Sequence, residues 1–299
     1  MPPISNADRI VYPETATTKA DVVGHYSAVG DRLLTYLADR PLTLERFPKG
    51  VAGKGFMQKN VAKYFPPFIE RHLIERADGT TNHPLVVDVA GIEYLANQNT
   101  ITFHMPTTTR THPDKPDRVI IDLDPPEESA NAVRQSAWAT KALFDELGLI
   151  SVPVATGSKG FHVTAAIGRD CRVPEVDEFA HLAAALLAHR HPDLITTEFR
   201  KANRGGRVFC DWLRNRWGAT SAAPWSLRPR ARPTVVIPVT WDELDDTAPD
   251  TYELGSLPEA DPLAALALTP GDLRAALTQL RRIAAEAAVE IEHFDRFHS

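Results

Sequence analysis

Apolar residues recur with two periods along this chain, and the points where the period changes outline its elements. Ala20, Val23, Tyr26, Ala28 and the run 33–37 repeat at roughly helical spacing, which predicts a helix over 19–38. A turn-rich stretch covers 41–67. Strict alternation appears at 99–105, with Ile101, Phe103 and Met105 on one side and Thr102 and His104 on the other. The next strand reads V-I-I-D-L-D-P-P: Val119, Ile121 and Leu123 point into a core, while Asp122 and Asp124 point together to the opposite face. Pro125 and Pro126 stop it. Ser129 then caps a helix whose buried stripe is Val133, Ala137, Thr140, Phe144 and Leu147, and Gly148 ends it. Strands at 152–155 and 161–167 flank a turn, a second helix covers 176–190, and a further strand covers 235–239. The last 50 residues are Ala/Leu-rich helix between Pro-rich links.

Composition narrows the class without naming it. At 299 residues, 43% hydrophobic and 24% charged, the chain can bury one large core or two lobes, and no apolar run approaches a membrane span. The N-terminus has neither a basic start nor an apolar stretch, which predicts a cytoplasmic protein. Cys171 and Cys210 stand far apart, so neither a disulfide framework nor a thiolate zinc site is expected. The net charge of −6 hides a segregation: 242–299 holds 13 acids and 4 bases, whereas 199–232 holds nine Arg and Lys against the single acid Asp211. An acid inside a basic run favours a polyanion site beside a metal, although a solvated basic loop gives the same composition.

Two neighbouring carboxylates on one strand face repel each other unless cations bridge them. Asp122 and Asp124, with Asp211 in R-V-F-C-D-W, make the donor set of two-metal phosphoryl transfer, in which ions ~3.5–4 Å apart clamp the attacking and leaving oxygens. A lone D-x-D is also compatible with a strand end or a helix cap. The turn T-G-S-K-G-F-H adds to it: two glycines free backbone N–H groups to face an anion, Lys159 supplies charge, Ser158 a hydroxyl, and His162 faces the open side. By itself this is equally a hairpin turn with a tolerated histidine. In 44–60, bases alternate with glycines and aromatics, and Phe56 could stack on a base. A hairpin with a basic rim has the same composition.

Together, D-L-D, T-G-S-K-G-x-H, the later h-D and the N-terminal K-G-F-M-Q-K-N resemble the polymerase domain of bacterial ligase D, within the archaeo-eukaryotic primase superfamily, from about residue 8 to Leu244. The resemblance implies an α+β fold: a primase-polymerase core with a mainly antiparallel sheet over 76–244, a smaller N-terminal DNA-contacting module over 1–75, and a helical brace over 245–299. It implies a template-directed nucleotidyltransferase that fills short gaps or extends ends in DNA repair, by end joining or excision repair, with two divalent ions, Mn²⁺ or Mg²⁺, and a preference for ribonucleotides. Carried over by position, Asp122, Asp124 and Asp211 are the catalytic metal ligands. His104, Ser158, Lys159, His162 and Arg228 bind the NTP or dNTP. Lys19, Lys54 and Lys59 grip the 5′-phosphate across a gap, and Phe56 stacks at the template bend.

Thr156 stands where the family usually has Ser, a tolerated change, and Met57 replaces a second aromatic, which weakens stacking on the template. No ligase or nuclease segment follows, so the chain reads as an excised domain or a stand-alone homologue working with a separate ligase and an end-binding protein near the nucleoid. Two rival readings remain at this stage: a metal-dependent phosphoesterase acting on DNA ends, and a non-catalytic DNA-end binder.

Overall fold

The computed structural model describes residues 3–76, 79–126 and 129–291. In chain order the first stretch forms β1 (Ile10–Tyr12), β2 (Thr17–Thr18), α1 (Lys19–Ala28), α2 (Gly30–Leu37), β3 (Thr43–Arg46), β4 (Phe56–Gln58), β5 (Glu70–Arg76), β6 (Gly79–Leu85), α3 (Val89–Asn97) and β7 (Thr100–Met105). Then come β8 (Arg118–Asp124), α4 (Ala130–Glu146), β9 (Val152–Ala155), β10 (Phe161–Ala166), α5 (Val173–Arg190), β11 (Ile195–Thr196) and β12 (Val208–Asp211). The last stretch holds β13 (Ser221–Ala222), β14 (Ile237–Pro238), α6 (Pro262–Leu266) and α7 (Leu273–Glu286). The architecture is α+β with antiparallel sheets, as expected. Among the described residues no helix is long and apolar enough to cross a membrane.

The chain divides into two compact units that do not follow the boundaries expected at 75 and 244. The first comprises Met1–Thr111, Thr220–Ile237 and Asp250–Glu259; the second comprises His112–Ala219, Pro238–Pro249 and Ala260–Ser299. Strand pairing explains part of the difference. β13 pairs with β7 more than a hundred residues earlier in the chain, which returns 220–237 to the first unit.

The first unit is built on a sheet in the order β13-β7-β3-β4. Leu44 and Phe103 are fully buried on its inner face. The continuous helix expected over 19–38 is broken at Val29. A Cβ at Gly30 would lie 2.4 Å from Val89 Cγ1, so the second helix can pack against α3 only with a glycine at its first turn. Thr18 caps α1 through a reciprocal pair with Asp21.

The second unit is built on a sheet in the order β11-β12-β8-β10-β9-β14, antiparallel from β12 through β8 and β10 to β9, with β11 parallel to β12. Val119, Ile121 and Leu123 are fully buried, as their alternation requires. α4 and α5 pack on this sheet, with the Phe144 and Phe179 rings 5.8 Å apart. Ser129 caps α4 by accepting from the Ala132 N–H at 3.4 Å. The strand expected over 235–239 shrinks to Ile237–Pro238, and the residues before it pair instead with 225–227, the Val236 N–H donating to the Ser226 carbonyl at 2.9 Å.

Buried His25 makes the first unit acid-sensitive. Its Nε2–H donates to the Trp225 carbonyl at 2.9 Å, and burial pushes its pKa down to about 4 from an ordinary 6.5. The unfolded chain therefore takes up this proton first, and stability is lost as pH falls from about 6.5 through 4, by about 3 kcal/mol in all. Denaturant titrations at pH 7.5 and 4.5 should differ by a large part of this amount, and a His25→Gln variant should flatten the difference.

Candidate active site

The cross-strand register of the second sheet lines up one row of polar side chains. On β10, His162 is directly opposite Asp122 of β8, and on the other flank Asp211 of β12 is directly opposite the same Asp122. Period-two alternation puts Asp124 on this face as well. His162 Nε2 lies 3.5 Å from Asp122 Oδ1. Asp122 and Asp211 are 4% and 7% exposed, so their carboxylates are largely withdrawn from water.

Such a row is electrostatically costly. Burial raises the Asp124 pKa to about 6, with the Asp122 charge adding to the rise; burial and then Asp122 likewise push Asp211 upward. One cation offsets the repulsion. Arg214 Nε donates to Asp122 Oδ2 at 2.8 Å, and its Nη2 lies 3.5 Å from Asp211 Oδ2. Burial opposes the guanidinium charge, but Asp122 and Asp211 outweigh it and raise the Arg214 pKa.

Arg214 is held in place by its neighbours in the chain. After Asp211 the chain leaves the sheet in a single 3₁₀ turn, Leu213–Asn215. The Leu213 N–H donates to Asp211 Oδ1 at 2.8 Å. Fully buried Asn215 accepts from the Ile120 N–H at 2.9 Å and donates to the Ile120 carbonyl at 2.7 Å. It thus satisfies the β8 backbone where β12 has ended. Trp212, also buried, stacks on His181 with centroids 4.1 Å apart and planes 3° apart. Sequence reasoning missed Arg214 and Asn215; the D-x-x-R spacing inside the basic run was the available signal for the first.

The glycine turn lies beside this row. Thr156 Oγ1 donates to the Gly160 carbonyl at 2.6 Å, and the Gly157 N–H donates to the Pro249 carbonyl at 2.8 Å. Thr156 thus closes the loop with its hydroxyl, a bond that a serine could also make. Gly157 has φ +63°, and a Cβ at Gly160 would lie 2.1 Å from the Leu123 carbonyl oxygen, so both glycines are required by conformation or by close approach. Ser158 is half-buried and Lys159 exposed at the tip.

The remaining expected residues belong to the first unit. His104 on β7 pairs with Glu45 of β3, Nε2 to Oε2 3.2 Å. Arg228 lies on a loop fixed by its own N–H to the Thr234 carbonyl at 2.8 Å and by Tyr12 Oη donating to its carbonyl at 3.0 Å. Phe56 is 46% exposed on β4, over the Arg46 guanidinium at 5.6 Å; Lys54 is exposed and Lys59 half-buried. Lys19 differs from these. It is buried, with Nζ donating to Ser5 O and Oγ at 2.7 Å, and burial lowers its pKa to about 8.

A family model described as the LigD primase-polymerase domain matches residues 18–262. The chain belongs to this family. LigD primase-polymerase domains are nucleotidyltransferases and depend on metal ions, and as one of them this chain is a nucleotidyltransferase. It is 35% identical over 254 residues to the multifunctional non-homologous end joining DNA repair protein LigD of Mycobacterium tuberculosis, covering 82% of this chain and 34% of that protein. To the bifunctional non-homologous end joining protein LigD of Bacillus subtilis it is 31% identical over 246 residues, covering 81% and 39%. The chain thus spans about a third of the length of these curated relatives. The solved polymerase domain of M. tuberculosis ligase D, in complex with DNA, superposes with a TM-score of 0.79 at 31% identity, covering 96% of this chain and 98% of that one.

The donor set of the aspartate row fits the metal dependence of LigD primase-polymerase domains: three hard carboxylate oxygen donors whose mutual repulsion a divalent cation would relieve. Among the described residues no group of three or more His, Cys, Asp or Glu is already gathered around one point. Arg214 sits between two of the acids, paired with both Asp122 and Asp211.

Holding Asp124 ionised at neutral pH costs the metal-free protein stability, because its folded pKa lies above the unfolded one and the penalty grows as pH rises from about 4 through 6. An Asp124→Asn variant should therefore unfold several degrees higher than the parent at pH 7.5 in chelator, by calorimetry, and lose nucleotide addition. The advantage should vanish near pH 4.

Proposed function

We propose that this chain adds nucleotides to a DNA primer terminus across short gaps or at broken ends, preferring ribonucleotides and using two divalent ions, Mn²⁺ in preference to Mg²⁺. The observation that carries the reading is the row Asp211–Asp122–His162 across three adjacent strands, beside a closed glycine loop with Lys159 at its tip. A hydrolase acting on DNA ends needs the acids but has no use for a cradle for pyrophosphate, which weighs against the phosphoesterase alternative.

Asp122, Asp124 and Asp211 would hold the metals, which supply Lewis-acid stabilisation of the charge that develops in phosphoryl transfer. The protein's own share is positioning. The Ser158 hydroxyl, the Lys159 ammonium and the His162 imidazole bind the triphosphate, and their charge neutralises what collects on the departing pyrophosphate. His104 and Arg228 contact the incoming nucleotide, and Arg214 pairs with both Asp122 and Asp211. Lys54 and Lys59 bind the 5′-phosphate beyond the gap, and Phe56 stacks on the template where it bends. For Lys19 the family resemblance supports the same 5′-phosphate role, whereas in this chain its ammonium is committed to Ser5. A separate or linked ligase then seals the product, an end-binding protein recruits the enzyme, and the setting is the cytoplasm at the nucleoid.

Primer extension on a gapped duplex with a downstream 5′-phosphate, with Mn²⁺ and either NTPs or dNTPs, tests the reading. The parent should extend the primer, faster with NTPs, and Asp122→Ala should abolish extension while leaving DNA binding largely intact. Tight binding with no extension in either metal would point instead to an end binder.

Binding assays address the DNA residues. Lys54→Ala or Lys59→Ala should weaken binding mainly to gaps that carry the 5′-phosphate, and should lower the slope of log affinity against log salt by about one counterion. Equal affinity of these variants and the parent for phosphorylated and unphosphorylated gaps would remove both assignments.

A further inference from the structure

From Arg46 to Ile69 the chain carries five bases, Arg46, Lys49, Lys54, Lys59 and Lys63, and no acid. Among them stand three aromatic side chains that the fold leaves open to water: Phe56, Tyr64 at 61% and Phe68 at 43% exposed. Single exposed apolar residues are ordinary on a protein surface, but these belong to one contiguous set. The Tyr64 ring meets buried Phe65 with centroids 5.1 Å apart, Phe65 meets Tyr94 at 5.7 Å, and Tyr94 meets Phe68 at 5.5 Å. Each pair is edge-to-face, with planes 80°, 88° and 83° apart, so the rings are held in an ordered row.

Arg46 ties this row to Phe56. In the β3–β4 register Arg46 is directly opposite Phe56, with its guanidinium carbon 5.6 Å from that ring's centroid. The same guanidinium donates through Nη1 to Tyr64 Oη at 3.1 Å and lies 5.8 Å from the Phe65 centroid. Its Nε donates to the Gln98 carbonyl at 2.8 Å, and the residue is buried. A buried arginine bound at both ends fixes what it touches, so Phe56 and Tyr64 keep a set spacing while their outer faces stay in water. The acids that bound this stretch are engaged elsewhere: Glu45 pairs with His104, and Glu70 with Arg110 Nη1 at 2.8 Å.

Exposed aromatic rings set among bases match the chemistry of single-stranded nucleic acid, in which flat bases alternate with phosphates. We propose that Tyr64 and Phe68 extend the Phe56 surface into a stacking platform for unpaired bases of single-stranded DNA, with exposed Lys63, next to Tyr64 in the chain, meeting a backbone phosphate. This rests on the proposed contact of Phe56 with the template and adds further places for bases beside it. The platform takes the single-stranded overhang of a broken end. Because Arg46 already orders the Tyr64 side chain, stacking a base on it removes little rotamer freedom.

Fluorescence anisotropy with a labelled blunt duplex, and with the same duplex bearing an oligothymidine overhang, tests the platform. Tyr64→Ala should weaken binding of the tailed duplex roughly tenfold, about 1.4 kcal/mol, and leave that of the blunt duplex unchanged. Tyr64→Phe, which keeps the ring and loses the bond from Arg46, should retain most of the affinity and separates stacking from a folding defect. Tyr64→Ala removes no charge, so the slope of log affinity against log salt should stay that of the parent, whereas Lys63→Ala should lower it by about one counterion. Parent-level affinity of Tyr64→Ala for the tailed duplex, or an equal loss on both duplexes, would overturn the platform. A parent protein that binds neither duplex would instead remove the proposed function, and the inference would fall with it.

Discussion

The like-charge repulsion among Asp122, Asp124 and Asp211 is the constraint around which the second unit is arranged. Antiparallel pairing of β8 with both β10 and β12 makes it unavoidable, because the register brings Asp211 directly opposite Asp122. A fold selected for stability alone would put apolar side chains on such a central strand. Here the local surroundings counter the repulsion with one half-buried guanidinium, carried on a turn whose Asn215 satisfies the β8 backbone at Ile120. On the reading proposed above, these acids stay close enough to share metal ions, and the metal-free chain carries their mutual repulsion as a cost.

What could be read from the sequence was what is local. The D-x-D strand, its proline stop, the Ser129 cap and the glycine turn each depend on residues within a few positions, and each is found where alternation and turn chemistry put it. The expected helix over 19–38 is interrupted at Val29, and the close approach of Gly30 to Val89, almost sixty residues away, has no trace in the local pattern. The pairings of Arg214 and Glu45 escaped for the same reason: their partners Asp122 and His104 come from distant strands, and nothing in a single sequence says which strands are neighbours. The boundaries at 75 and 244 rested on the family resemblance and cut the chain into consecutive segments, whereas the units follow strand pairing that crosses and recrosses those points. Lys19 shows the limit of carrying a role over by position, since neither charge nor order in the chain foretold that its ammonium would be buried against Ser5.

Asn215 gives the sheet a way to end. A strand that stops beside a longer neighbour leaves backbone groups of that neighbour without a ladder partner, and in a buried strand that is expensive. The Asn215 amide answers both the N–H and the carbonyl of Ile120, so β12 can be only as long as it takes to deliver Asp211. The turn that follows is then free to carry Arg214 back to the acids.

The closed loop from Thr156 to Gly160 has a consequence in entropy. Its backbone is cross-linked by the threonine hydroxyl and tied to Pro249 with no ligand bound. The Ser158 and Lys159 side chains at its tip are therefore carried on a backbone that is already ordered, which leaves little conformational freedom for an anion to remove. On the proposed reading, in which this tip meets the phosphates of the nucleotide, the cost of ordering the loop falls on folding and not on each round of addition.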